Sequence, residues 1–240
     1  MKSFSHLTGG YVPNKTEHLR LAILGAPGSG KSTLASGLLY FSKLFSFRAD
    51  SVPEVAKWHV YKGTDFSPPE FEMQKFREQK ELEDIYPREF DILMCEAPLI
   101  ISAIYSAFYH GDQSEIARTL FDLAIKEKHR YTHYLVCRKL ARFEAFGRNE
   151  DERQAEGLHF KTLEILERLE LNYTIINRYD EHIPLQILSM IGAIRKDEEV
   201  RRAQEEEARE RRVQGTLIRE EPPQIEVVKR RGNKKQFGTA

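Results

Sequence analysis

The chain has 240 residues, enough for one large domain or one domain with an extension. Lys and Arg total 37, as do Asp and Glu, so no overall charge draws the molecule to nucleic acid or to a membrane; only local charge can. Cys95 and Cys137 each end an apolar run; two isolated cysteines make neither a metal pattern nor a disulfide framework, and they read as small core residues of a protein in a reducing cytoplasm.

Residues 1–18 read as a loose lead-in, too polar at the start for a signal peptide. An apolar strand follows at about 19–25 and runs into LAILGAPGSGKSTLASGLL, residues 21–39. Within it Gly25-Ala26-Pro27-Gly28-Ser29-Gly30-Lys31-Ser32 fits G-x-x-x-x-G-K-[ST], the P-loop, with Thr33 next. Glycines let the backbone turn several N–H groups inward onto an anion. The helix that follows adds the positive end of its dipole. Lys31 is expected at the β- and γ-phosphates of ATP and Ser32 at Mg²⁺.

A second strand at about 46–52 leads into ADSVPEVAKWHV, where Asp50 and Glu54 bracket its carboxyl end. Glu54 is read as the group that orients or deprotonates an attacking hydroxyl, the alternative being a surface acid on the helix that begins there. SPPEFEMQKFREQKELEDIYP then reads as a helix, opened by a Ser67–Glu70 capping box and closed by Pro87. Met73, Phe76, Leu82 and Tyr86 fall on its apolar stripe, and Gln79 shares it. An inward glutamine needs a partner: either the base edge of a substrate or nearby backbone.

The third strand, about 91–96, ends in Glu96, at the position where a second metal-supporting acid follows a P-loop strand. Aspartate is usual there; the competing reading makes Glu96 a helix cap beside Pro98. Glu96 and Pro98 also interrupt the most apolar stretch, Phe90 to Phe108, so it reads as a strand and helix rather than a membrane span. Strands four and five lie at about 131–137 and 172–177. Between them Arg138, Arg142, Arg148 and Arg153 bunch around a polar loop, and Arg148, in FGRNEDE, is the residue expected to close over a triphosphate. Strands alternating with helices predict an α/β three-layer sandwich around a five-stranded parallel sheet, with ligands at the carboxyl ends of the strands.

Residues 19–194 make that expected domain. Residues 195–214 carry acid-before-base pairs at i,i+4 and predict a solvated helix extension. Residues 215–240 read as a disordered tail. Its five positive charges, Lys229, Arg230, Arg231, Lys234 and Lys235, are either a solubilising end or a tether to a polyanion such as DNA.

Together the P-loop, PEVA after strand two, the acid-Ala-Pro-Leu after strand three with Tyr105 downstream, and FGR before an acidic helix start resemble small P-loop kinases of the ribosylnicotinamide-kinase-like and thymidylate-kinase-like groups, many carried by bacteriophages. One branch resembles phage kinases acting on 5-hydroxymethyluracil within DNA. The resemblance spans Leu19 to Leu188. It implies ATP and Mg²⁺ as cofactors, roles for Glu54, Glu96 and Arg148, and the sheet order 2-3-1-4-5. The function expected is ATP-dependent transfer of a phosphoryl group to a hydroxyl of a nucleoside- or nucleotide-type acceptor, free or in DNA. A P-loop ATPase switch and a nucleotide-binding module without turnover are the alternatives.

Overall fold

Side-chain alternation along one strand sets the layers. In β2 (Leu19–Leu24), which follows the three-residue β1 (Tyr11–Pro13), Leu21 and Ile23 join one buried cluster while Ala22 and Leu24 join another. A strand apolar on both faces must be covered on both, which is the signature of a parallel α/β sheet. The computed structural model describes residues 10–14, 17–138, 150–177, 180 and 182–198, positions 202, 205, 206 and 209, and the backbone of 225–228.

Helix α1 (Lys31–Leu44) covers the first face with Leu34 and Leu38. Strand β3 (Ala49–Val52), α2 (Val55–Tyr61), α3 (Glu70–Ile85) and β4 (Ile92–Cys95) follow. Helices α4 (Ile100–His110) and α5 (Glu115–Glu127) cover the second face, and a short 3-10 turn leads into β5 (His133–Cys137). The chain continues through α6 (Glu152–Arg168), β6 (Tyr173–Ile176), α7 (Ile183–Met190) and β7 (Ile194–Lys196). A last strand, β8, spans Ile225–Val228.

The main sheet has the order β3-β4-β2-β5-β6-β8. Its first five strands run parallel and carry the expected 2-3-1-4-5 order. Cys95 and Cys137 are buried core residues.

Three local expectations are corrected. Residues 225–228, within the expected disordered tail, pair antiparallel with β6 as a sixth strand, Tyr173 opposite Val228 and Ile176 opposite Ile225. The open edge of β6 offers unpaired backbone groups, and a short β-branched run satisfies them. In the lead-in, Tyr11–Pro13 pairs antiparallel with Ile194–Lys196, so residues 195 and 196 are strand rather than the start of the charged helix. At α3 the Ser67 hydroxyl donates to Asp65 (2.9 Å) instead of capping, because the backbone of Pro68 and Pro69 already accepts from Phe71 and Glu72.

Helix α3 carries two inward lanes. Phe76 is buried, with Met73, Leu82 and Tyr86 packed against the same core. Beside them Glu72, Lys75, Gln79 and Glu83, at spacings of three and four, are all buried as well. Buried charge needs partners. Glu83, fully buried, accepts from Tyr131 Oη (2.8 Å), and Arg20 donates to its backbone carbonyl (2.6 Å). The Tyr131 hydroxyl also accepts from the Leu99 amide (2.6 Å), so one network ties α3 to β2 and to the start of α4.

Candidate active site

The loop after β2 turns on glycine. Gly25 has φ 146°, and a Cβ there would sit 2.7 Å from the Cys137 carbonyl oxygen and collide with Ser29 Oγ. Gly28 and Gly30 have φ 80° and 84°. These conformations favour glycine, and they deliver the loop to the N-terminus of α1, where free N–H groups and the helix dipole suit an anion. Lys31 Nζ lies over the loop, donating to the carbonyls of Gly25 (2.9 Å) and Ala26 (3.3 Å).

Two acids reach this loop from neighbouring strand ends. Glu96, directly after β4, accepts from Ser32 Oγ (2.6 Å) and from Ser51 Oγ of β3 (3.0 Å). Its amide donates to Val52 O (3.2 Å), locking the ends of β3 and β4 together. The Ser32 hydroxyl and the Glu96 carboxylate are hard oxygen donors of the kind Mg²⁺ takes. No group of three or more His, Cys, Asp or Glu able to hold a metal exists among the described residues.

Glu54 stands at the N-cap of α2, half-buried, with no side-chain cap bond. It shares a cleft of about 360 Å³ with residues 27–33 of the loop; Tyr61, Phe66, Lys75, Tyr105 and Glu150 line the remainder. Gln79 does not present its amide to this cleft as a reader of substrate. Its Oε1 accepts from the Val55 amide (3.0 Å) and its Nε2 donates to Pro53 O (3.1 Å) at 3% exposure. The turn at the end of β3 leaves those backbone groups without ladder partners, and the amide of Gln79 supplies both the donor and the acceptor they need. It clamps the backbone on both sides of Glu54.

The far wall is aromatic and charged. Lys75, 7% exposed, donates to Glu72 Oε1 (2.7 Å) and lies 5.1, 5.4 and 5.3 Å from the ring centroids of Phe66, Phe71 and Tyr105. Burial pushes the Glu72 carboxyl above its usual range, against the pull of Lys75. Burial also drives the Tyr105 phenol well above its ordinary value. Tyr109 Oη donates to Glu150 (3.1 Å) just before α6 opens on a capping box of Asp151 and Gln154. The sequence reading missed Lys75 and Glu150. A signal for Lys75 existed: Glu72, Lys75, Gln79 and Glu83 mark one face of a helix that also carries an apolar stripe.

Arg148 lies outside the described residues, as do the five basic residues after Val228. Among the described residues no helix is long and apolar enough to cross a membrane.

Comparison with known proteins bears on the fold that carries this site. The NadR protein in complex with NR superimposes with a TM-score of 0.55 at 17% identity, over 75% of this chain and 53% of that one. NadR with NAD and AMP-PNP gives 0.54 at 16%, over 75% and 51%. This chain thus spans about half the length of the NadR chain. Deoxyadenosine kinase from M. mycoides with bound dCTP gives 0.51 at 14%, over 72% of this chain and 97% of that one. No curated protein sequence matches significantly. These likenesses establish a P-loop nucleoside/nucleotide-kinase-like fold. The AAA domain family profile matches residues 20–182, more than half of the sequence and the stretch that holds the loop, both acids and the α3 wall, and the chain belongs to that family.

Proposed function

We propose that the chain is an ATP-dependent phosphotransferase that moves the γ-phosphoryl group of ATP to a hydroxyl of a nucleoside- or nucleotide-type acceptor. One observation carries the reading: the cleft that holds the P-loop continues past Glu54 into a second, aromatic half, with room for a second reactant. A hydrolytic switch needs only a positioned water. The fold neighbours named above include a kinase of deoxyadenosine and a protein solved with NR, which supports an acceptor of this class.

The roles follow from position. Backbone N–H groups of residues 25–33 cradle the phosphates, and Lys31 leaves its loop carbonyls for the β- and γ-phosphates. Ser32 and Glu96 would hold Mg²⁺, which would supply charge neutralisation on the phosphate oxygens. Glu54 accepts the acceptor hydroxyl's proton as its oxygen bonds to the γ-phosphorus and the bond to the β-phosphate oxygen breaks, releasing ADP. Arg148 is the residue proposed to close over the phosphates. Residues 19–194 form the proposed catalytic unit, with the charged stretch that follows strand β7, Ile194–Lys196, appended.

The acceptor class includes a free nucleoside and the same hydroxyl within DNA, as in a hydroxymethylated base. Labelled γ-phosphate with Mg-ATP, offered nucleosides, monophosphates, ribosylnicotinamide and hydroxymethylated DNA, tests the reading. Label on an acceptor is the expected result. Release of free phosphate alone, with every acceptor present, replaces it with an ATPase.

A further inference from the structure

Lys75 is chemically out of place for a helix residue facing a core. A lysine at 7% exposure must be compensated. Core packing alone is served as well or better by an apolar residue, since replacing a buried ion pair with apolar groups is often neutral or stabilising. Lys75 lines the main cleft, and it also lines a smaller cavity at the inner end together with Glu54, Gln79 and Tyr105. Lys75 and Glu54 therefore line the same two cavities.

What that molecule presents to Lys75 follows from donors and charge. An ammonium offers three donors and no acceptor. Among the described residues, Glu72 takes one of them. A bound group that meets the others must supply a lone pair, so an exocyclic amino group is a poor match. A phosphate is a poor match too. Among the described residues the lining carries Glu54 and Glu150 against Lys31, Lys57 and Lys75; Lys31 sits on the phosphate loop, and Glu72 pairs with Lys75. Among the described residues, no positive charge beyond the phosphate loop is left over for a second anion. A cationic ring would meet the like charge of the largely buried Lys75 ammonium, which repels it. Phe66 and Tyr105, whose rings the ammonium overlies, also line the cleft and so border a flat partner.

We propose that Lys75 selects the acceptor, donating a hydrogen bond to an exocyclic oxo oxygen of an uncharged planar ring, a 4-oxopyrimidine or a 6-oxopurine, while Glu54 meets the hydroxyl. The inference rests on the phosphotransferase reading of the cleft. It makes Lys75 a specificity residue, with Glu72 as the group that holds it.

The test compares matched pairs with full-length protein: uridine against cytidine, inosine against adenosine, and 5-hydroxymethyluracil against 5-hydroxymethylcytosine, as nucleosides and within DNA. Wild type is expected to favour the oxo member of each phosphorylated pair by about tenfold to a hundredfold in kcat/KM, the range set by a hydrogen bond to a charged group. Lys75→Met should erase that preference, chiefly through KM for the acceptor, and leave KM for ATP unchanged. Because Lys75→Met strands Glu72 in the interior, the double variant Lys75→Met/Glu72→Leu removes both charges and keeps the test valid if the single variant unfolds. Calorimetric binding of the same nucleosides without ATP is the second readout. Oxo-selective, Lys75-dependent binding without transfer would fail the kinase reading and keep the inference. Transfer with a preference that survives both variants, or wild-type preference for amino rings, monophosphates or ribosylnicotinamide, would overturn the inference and keep the kinase. Neither binding nor transfer overturns both.

Discussion

The two halves of the cleft are built by different means. The phosphate half is one unbroken run, residues 25–33, shaped by its own glycines and carried on the junction of β2 and α1. The acceptor half is gathered from Glu54 after β3, Phe66 in a loop, Lys75 on α3, Tyr105 on α4 and Glu150 before α6. Chain connectivity fixes the first. Buried polar contacts fix the second: Gln79 to the backbone around Glu54, and Glu83 to Tyr131 with Arg20 on the Glu83 backbone. A contiguous site is lost by changing its own residues. An assembled site is also lost by loosening an anchor that no ligand touches.

The largest expected effect lies in the contiguous half. Lys31→Ala should abolish phosphoryl transfer with the thermal midpoint unchanged, because Lys31 is half-exposed and bonds only to loop carbonyls among the described residues. Turnover near wild type in a normally folded variant would remove the P-loop from the mechanism.

Glu54→Gln comes next, with kcat down about 10²–10⁴-fold, the usual range for a lost general base, and ATP affinity unmoved. If ATP affinity collapses while kcat holds, Glu54 belongs to the phosphate half and the division between the halves is drawn in the wrong place.

The contrast also governs what the sequence discloses. The P-loop is legible because its chemistry sits in consecutive residues. Glu54 and Glu96 are legible because an acid after an apolar strand falls at the sheet's carboxyl edge, where the structure places both. Lys75 is legible only in part: spacing puts it on one face with Glu72, Gln79 and Glu83, but a lysine in EMQKFREQK reads as solvated surface until α4 is packed across it. Gln79 is half legible: its inward face follows from periodicity, but its partner is the Pro53–Val55 backbone, set by a turn twenty-odd residues away. Strand β8 is hidden because four residues in a charged tail signal a strand only once the open edge of β6 is known.

The third effect is on stability and concerns the anchor of α3. Burial raises the Glu83 carboxyl from its ordinary 4.5 to about 7. A folded value above the unfolded one means that the folded state holds a proton the unfolded chain releases. The contribution is full below about pH 4.5 and is lost as pH rises through 7. The shift corresponds to an effect on the order of 3 kcal/mol between those limits. Urea melts at pH 5, 6, 7 and 8 should show wild type losing stability relative to Glu83→Gln as pH rises. A flat or rising difference would mean that Arg20 and Arg130 outweigh burial and that Glu83 is ionised throughout.

The smallest effect is the most diagnostic, because it separates an anchor from a contact. Gln79→Leu removes the partner of two buried backbone groups, the Val55 amide and the Pro53 carbonyl. Each buried group left unpaired costs about 1–3 kcal/mol, so the thermal midpoint should fall. The backbone on either side of Glu54 is then free to shift, and a misplacement of a catalytic group by an ångström is enough to slow transfer substantially. We expect kcat to fall by roughly tenfold, with KM for ATP unchanged because residues 25–33 have no bond to Gln79 among the described residues. Coupling to Glu54 is the deciding measurement. If Gln79 acts by holding Glu54, then Gln79→Leu adds little to the loss already caused by Glu54→Gln, since residues acting as a unit are not additive. If Gln79 instead touched the acceptor independently, the two losses would multiply and acceptor KM would rise in both backgrounds. That result would return Gln79 to the substrate and leave the Glu54 turn held by its own backbone.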